Sequence, residues 1–113
     1  MLSSSNRLTT ADDFRYAVRR GRRSGGVLVV AHLASTNVDK AISSPPKVGF
    51  VVAKSVGPAV TRNRVKRRLR HLMRERIQAL PGGSLLVVRA LPASANASSR
   101  DLAAELDRSL GQS

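Results

Sequence analysis

Apolar and polar positions alternate in recognisable registers along most of the chain. Ala11, Phe14, Ala17 and Val18 recur at helical spacing. Thr10 followed by Asp13 forms a variant capping box, and Gly21 suits the position past the last turn, so a helix is predicted over 10–20, with Tyr16 and Arg20 off its apolar face. Gly25-Gly26 opens the aliphatic run Val27–Leu33, a predicted strand. A second strand, Val48–Ala53, follows Pro45-Pro46. Its Val48, Phe50 and Val52 point one way and its smaller Gly49, Val51 and Ala53 the other, so something can approach the second face closely. The polar stretch STNVDKAISSPP between these strands reads as a long, mobile hairpin loop. Pro58 starts a helix that carries Val65, Leu69, Leu72, Met73, Ile77 and Leu80 on one stripe and ends near Leu80, before Pro81-Gly82-Gly83. Leu85–Ala90 is continuously aliphatic but for Arg89, as in a strand covered on both sides. Ser98 with Asp101, then Leu102, Leu106 and Leu110, predict a last helix over 98–110. Residues 1–9 lack periodicity and read as a flexible arm. The expectation is a small α+β domain over 10–111, in the order α-β-β-α-β-α, with helices packed on a sheet.

Composition narrows the function. The 113 residues carry 20 Lys or Arg against 7 Asp or Glu, a formal charge of +13. Without Cys there is no disulfide or thiolate metal site, and a cytoplasmic setting is expected. The longest apolar run, Val27–Ala31, is too short to span a bilayer, and the N-terminus lacks the apolar core of a secretory signal. Such basicity calls for a polyanionic partner.

The position of the charge says more than its amount. Arg62, Arg64, Lys66, Arg67, Arg68, Arg70, Arg74 and Arg76 fall on one helix, opposed only by Glu75. A merely solvated face is the plain alternative. Yet bases three and four apart repel, and Arg62 and Arg64 sit near the dipole-positive helix start. Phosphate oxygens would relieve both penalties. Asn63, Arg64, Arg67, Arg68, Arg70, His71 and Arg74 are expected to face outward. A second cluster, Arg15, Arg19, Arg20, Arg22 and Arg23, lies at the end of the first helix, where favourable dipole pairing is the plain reading and is compatible with a polyanion contact.

The segment KSVGPAVTRNRVKRRLRHLMRE resembles the signature of the bacterial ribonuclease P protein subunit: a strand, a turn with Lys54 and Gly57, then a helix with Arg62-Asn63-Arg64, Lys66, Arg67 and Arg70. Asn6-Arg7-Leu8, Asp13-Phe14, Gly21 and Val48-Gly49 extend the resemblance over nearly the whole chain. It implies a left-handed β-α-β crossover, against the general right-handed rule. It also implies an endoribonuclease holoenzyme that removes the 5′ leader from precursor transfer RNA. In that holoenzyme the RNA subunit catalyses with magnesium, and one protein per RNA assists. Arg62, Asn63, Arg64, Lys66, Arg67 and Arg70 would then contact the RNA subunit, with Arg74 continuing the same helix. A cleft beside the first helix would hold the single-stranded leader, with Phe14, Val18, His32, Val51, Ala53 and Lys54 as its lining. Val18 stands where many relatives carry an aromatic, and Val51 and Ala53 where some carry Ser. Base stacking should therefore be weaker here, and backbone electrostatics stronger. For Phe14 a core role and a cleft role both remain open.

Protein-only catalysis lacks support. The acids do not form a metal-binding cluster by spacing, and nothing pairs His32 with His71. No catalytic residue and no metal ligand is assigned. The rivals are an RNA-binding protein of another assembly, a duplex-DNA binder and a membrane-surface helix. The first gives no account of the Arg-Asn-Arg segment, the second lacks a helix-turn-helix pattern, and the third lacks Trp and Phe on its apolar face.

Overall fold

The computed structural model describes residues 4–35 and 45–111. Helix α1 spans Ala11–Arg20, strands β1 Arg22–Gly25, β2 Val29–Ser35 and β3 Lys47–Val52, helix α2 Ala59–Arg76, strand β4 Ser84–Ala90 and helix α3 Ser99–Ser109. The sheet order is β1-β2-β4-β3. β2 is antiparallel to both β1 and β4, and β3 is parallel to β4, so β3-α2-β4 is a β-α-β unit.

The helix boundaries follow from local chemistry. Thr10 Oγ1 accepts from the Asp13 backbone N–H at 3.2 Å, and Ser98 Oγ from that of Asp101 at 3.0 Å. Each satisfies a donor that the first turn cannot. The long basic helix stops at Arg76 and gives way to a short 3-10 turn, Ile77–Ala79, before Leu80. Gly21 is needed for space rather than for a left-handed cap. Its backbone is extended, at φ −74°, and a Cβ there would strike the Ala17 carbonyl oxygen.

Strand alternation divides the interior in two. Val29, Ala31, Val48, Leu86 and Val88 face α2 and α3 and meet the predicted stripes Val65–Leu69–Met73 and Leu102–Leu106–Leu110. On the other face, Leu85, Val87 and Ala34 meet Ala17 of α1, with Phe14 and Val51 partly buried at the margin.

Several expectations change. Val27 is 72% exposed and lies in a turn, not in the strand, which starts at Val29. Arg22–Gly25 form a strand that the pattern did not predict, because two arginines and two small residues lack an apolar signature. The first two predicted strands are not a hairpin, since β4 lies between them. Residues 36–44 of the connecting stretch lie outside the described residues. Part of the N-terminal arm is docked. Leu8 is 5% exposed, its N–H donates to the Val48 carbonyl at 3.0 Å, and Asn6 Nδ2 donates to the Pro46 carbonyl at 2.8 Å. One apolar side chain and two edge carbonyls that need donors, those of Pro46 and Val48, explain this without periodicity.

Candidate nucleic-acid interface

Helix α2 lays its dry stripe on the sheet, and the other side splits into two kinds of arginine. Arg64 Nη2 donates to the Ala95 carbonyl at 3.2 Å and Arg68 Nη1 to that of Ala97 at 3.0 Å. These two, four residues apart, pin the 3-10 segment Pro92–Asn96 and its exit to the helix. Arg62 Nε donates to the Gly57 carbonyl at 3.1 Å and closes the turn before the helix. Arg76 pairs with Asp107 of α3, Nε to Oδ1 at 2.7 Å. Helical spacing puts Arg64 and Arg68 on the outward face. They are partly buried, because the segment after β4 returns along that side of α2 and brings carbonyls that need donors.

The remaining bases form a continuous surface. Asn63, Lys66, Arg67, Arg70 and His71 line one shallow groove on α2. Lys66 and Arg70 also reach a second groove of about 220 Å³ at the outer edge of β3, where Arg7, Leu8, Thr9, Phe14, Val48, Gly49 and Phe50 complete the walls. Lys66, Arg67, Arg70 and Arg74 have no acidic partner among the described residues. Arg7 was not among the predicted site residues. Its signal lay in Asn6-Arg7-Leu8, but only the bridge of Arg7 to Val48 brings it beside α2.

Phe14 explains the small face of β3. A Cβ on Gly49 would overlap the Phe14 ring, reaching Cε1 at 2.6 Å. The glycine thus lets α1 lie close, and Phe14 is at once packed on the sheet and part of the edge groove. Val51 lies on the same face, within reach of the same cluster. Val18 is exposed on α1. Ala53 and Lys54 are exposed just beyond the end of β3. His32 is on the same face but two strands away, on β2, with β4 between. The fold therefore gathers Phe14 and Val51, leaves Val18, Ala53 and Lys54 around them, and sets His32 apart.

His32 and His71 cannot act as an acid–base pair, since His32 is on the α1 face and α2 packs on the opposite one. His32 is 6% exposed, and its Nδ1 has no hydrogen-bond partner. Burial first, then the positive charges of Arg89 and Arg23, hold its pKa below the ordinary 6.5. The unfolded chain thus takes up this proton at higher pH than the folded one. Relative to His32→Gln, the protein should lose stability as pH falls from about 7.5 to about 5.5, and show no such difference above that range. Thermal melts of both proteins at the two pH values check this.

Among the described residues, no three His, Asp or Glu side chains are grouped as they would be around a metal ion. No helix among the described residues is long and apolar enough to cross a membrane.

Comparison with known proteins agrees with this geometry. The Ribonuclease P family model matches residues 2–113. The ribonuclease P protein component of Streptomyces avermitilis is 55% identical over 114 residues, covering 97% of this chain and 93% of that protein. That of a Nocardioides species is 54% identical over 110 residues, covering 97% and 92%. Among solved structures, the Staphylococcus aureus RNase P protein superposes with a TM-score of 0.80 at 20% identity, covering 94% of this chain and 93% of that one. The Thermotoga maritima RNase P protein, in complex with 1-(4-fluorophenyl)-2-thiourea, gives 0.76 at 21% identity, covering 90% and 94%. The structural matches establish the α+β fold, and with the family match and relatives above half identity they place the chain in the ribonuclease P protein-component family.

Proposed function

We propose that this protein assists the RNA subunit of ribonuclease P in removing the 5′ leader from precursor transfer RNA in the cytoplasm. It does so by binding the catalytic RNA through α2 and the single-stranded leader beside α1. The hydrolysis and its magnesium belong to the RNA. The observation that carries this reading is the unpaired cationic surface Lys66–Arg67–Arg70–Arg74, which runs into the Phe14 groove. Those charges repel one another and lack acids among the described residues, so a polyanion is their natural complement. Asn63, with an amide that can donate and accept, lies among them. Arg62 and Arg64 each spend one N–H on a backbone carbonyl, and Arg64 Nε is buried, so the terminal N–H groups of each guanidinium are the donors left for RNA.

Phe14, Val18, Val51, Ala53, Lys54 and His32 are proposed to line the path of the leader. Phe14 offers a ring that a base can cover, and Lys54 a mobile charge for the backbone. Phe14→Ala should weaken leader-containing substrate more than mature transfer RNA, by up to about tenfold from lost stacking. Equal losses on both, with a large drop in melting temperature, would leave Phe14 a packing role only.

The deciding experiment is cleavage of a precursor transfer RNA by a bacterial ribonuclease P RNA at low magnesium, with and without this protein. Stimulated leader removal is expected. An absence of any effect would refute the proposal.

A further inference from the structure

Strand register arranges the α1 side of the sheet in rows. One row is Arg23, His32, Val87 and Gly49; the next is Gly25, Val30, Arg89 and Val51. The chain thus brings one guanidinium from β1 and another from β4 to either side of the His32 imidazole on β2. Both arginines are exposed, and neither has an acidic partner among the described residues. Both act electrostatically on His32. His32 itself is nine-tenths buried, with Nδ1 unpaired. Two cations flanking one imidazole without an anion, and a buried polar nitrogen without a partner, each disfavour the isolated chain. A single anionic oxygen group placed between them answers both.

Neither arginine stood out in the sequence. Arg23 ends a cluster explained by the dipole of α1, and Arg89 interrupts an aliphatic strand. Edge strand β1 and the register of β4 with β2 make them neighbours of one histidine. Their chemistry is that of a phosphate site, since guanidinium forks meet phosphate oxygens in pairs and an imidazole nitrogen can complete the set. The site shares its face of the sheet with Phe14 and Val51. From β3 to β1 is three strand spacings, roughly 14 Å, so an extended strand entering at Phe14 can cross Val51 and Arg89 to reach His32 and Arg23.

We propose that Arg23, His32 and Arg89 form a phosphate-binding site that holds a phosphodiester group of the single-stranded leader. This inference rests on the leader-binding reading above. It is tested on the holoenzyme reconstituted with a bacterial ribonuclease P RNA, by salt titration of binding to a precursor with a leader and to mature transfer RNA. Arg23→Gln and Arg89→Gln, both at exposed positions, should keep or slightly raise the wild-type melting temperature. Each should weaken precursor binding several-fold and make its salt slope shallower by about 0.7, with mature transfer RNA unaffected. Replacing leader phosphates one at a time by methylphosphonates should reveal one linkage at which Arg89→Gln has no further effect, while an abasic leader should retain the effect.

Unchanged affinity and slope in both variants would overturn the site, as would equal losses on mature transfer RNA. An effect that vanishes on the abasic leader but survives every methylphosphonate would also overturn it, because the arginines would then be stacking on bases. If the wild-type holoenzyme shows no preference for the precursor, the leader reading itself fails. If that preference exists and both variants keep it in full, only this site fails.

Discussion

Glu105→Ala is expected to destabilise the protein by about 3–5 kcal/mol, the range for removing one side of a buried charged network. Glu105 sits on α3 at 4% exposure. Its carboxylate accepts the backbone N–H groups of Val27 at 3.1 Å, Leu28 at 2.7 Å and Val29, and Arg108 lies 3.6 Å away. One side chain thus satisfies three donors in the turn between β1 and β2 and ties that hairpin to the last helix. Alanine would leave the donors without acceptors in a partly dry site, where each charge-assisted bond is worth roughly 1.5–3 kcal/mol. A domain of this size has about 5–15 kcal/mol in total, so the loss should appear as a drop in melting temperature on the order of 10 °C or more. Gly26 supplies a control. A Cβ there would run into the Glu105 carboxylate, so Gly26→Ala should destabilise the wild type but have much less effect in Glu105→Ala. Additive losses in denaturant unfolding would show that the glycine and the carboxylate act independently.

The second large effect should fall on RNA. Simultaneous Lys66→Ala, Arg67→Ala and Arg70→Ala should weaken binding to ribonuclease P RNA on the order of 100-fold or more, at roughly 1 kcal/mol or more per charge-assisted contact. The salt dependence should become shallower by about 2–3, as three phosphates lose their counter-charges. Helix stability should hold or rise slightly, because like charges four apart are removed. Arg68→Ala should do the reverse. Its guanidinium is engaged with the Ala97 carbonyl, so its loss should lower the melting temperature and leave the salt slope nearly unchanged. Equal slope changes for Arg67→Ala and Arg68→Ala in salt-titrated binding would contradict the division of α2 into pinning and docking arginines.

That division marks how far the sequence could be read. The stripe Val65–Leu69–Leu72–Met73 was legible because helical periodicity leaves it no other face to occupy. The basic residues have no such constraint. A wheel can say that Arg64 and Arg68 are not on the dry stripe, but not that the segment after β4 returns along them. Likewise the acids of the last helix looked like solubilising charge. Glu105 acquires its role from a hairpin turn more than 70 residues upstream, and Asp107 from Arg76 of another helix. The small face of β3 was read correctly as a place of close approach, and the fold supplies Phe14 as the group that approaches Gly49.

By itself the sequence determined the three helices, three of the four strands, the dry faces that bury them and the concentration of charge on α2. All of these are set by local spacing, capping and composition, which act within a few residues. Only the tertiary structure decided that β4 separates β2 from β3, that the polar segment Arg22–Gly25 is a strand, and that Leu8 docks on β3. It alone decided which arginines remain free for RNA and which serve the chain's own carbonyls. Those outcomes depend on pairings between distant residues, where an unmet backbone group or an unpaired charge takes whatever partner the fold brings within about 3 Å.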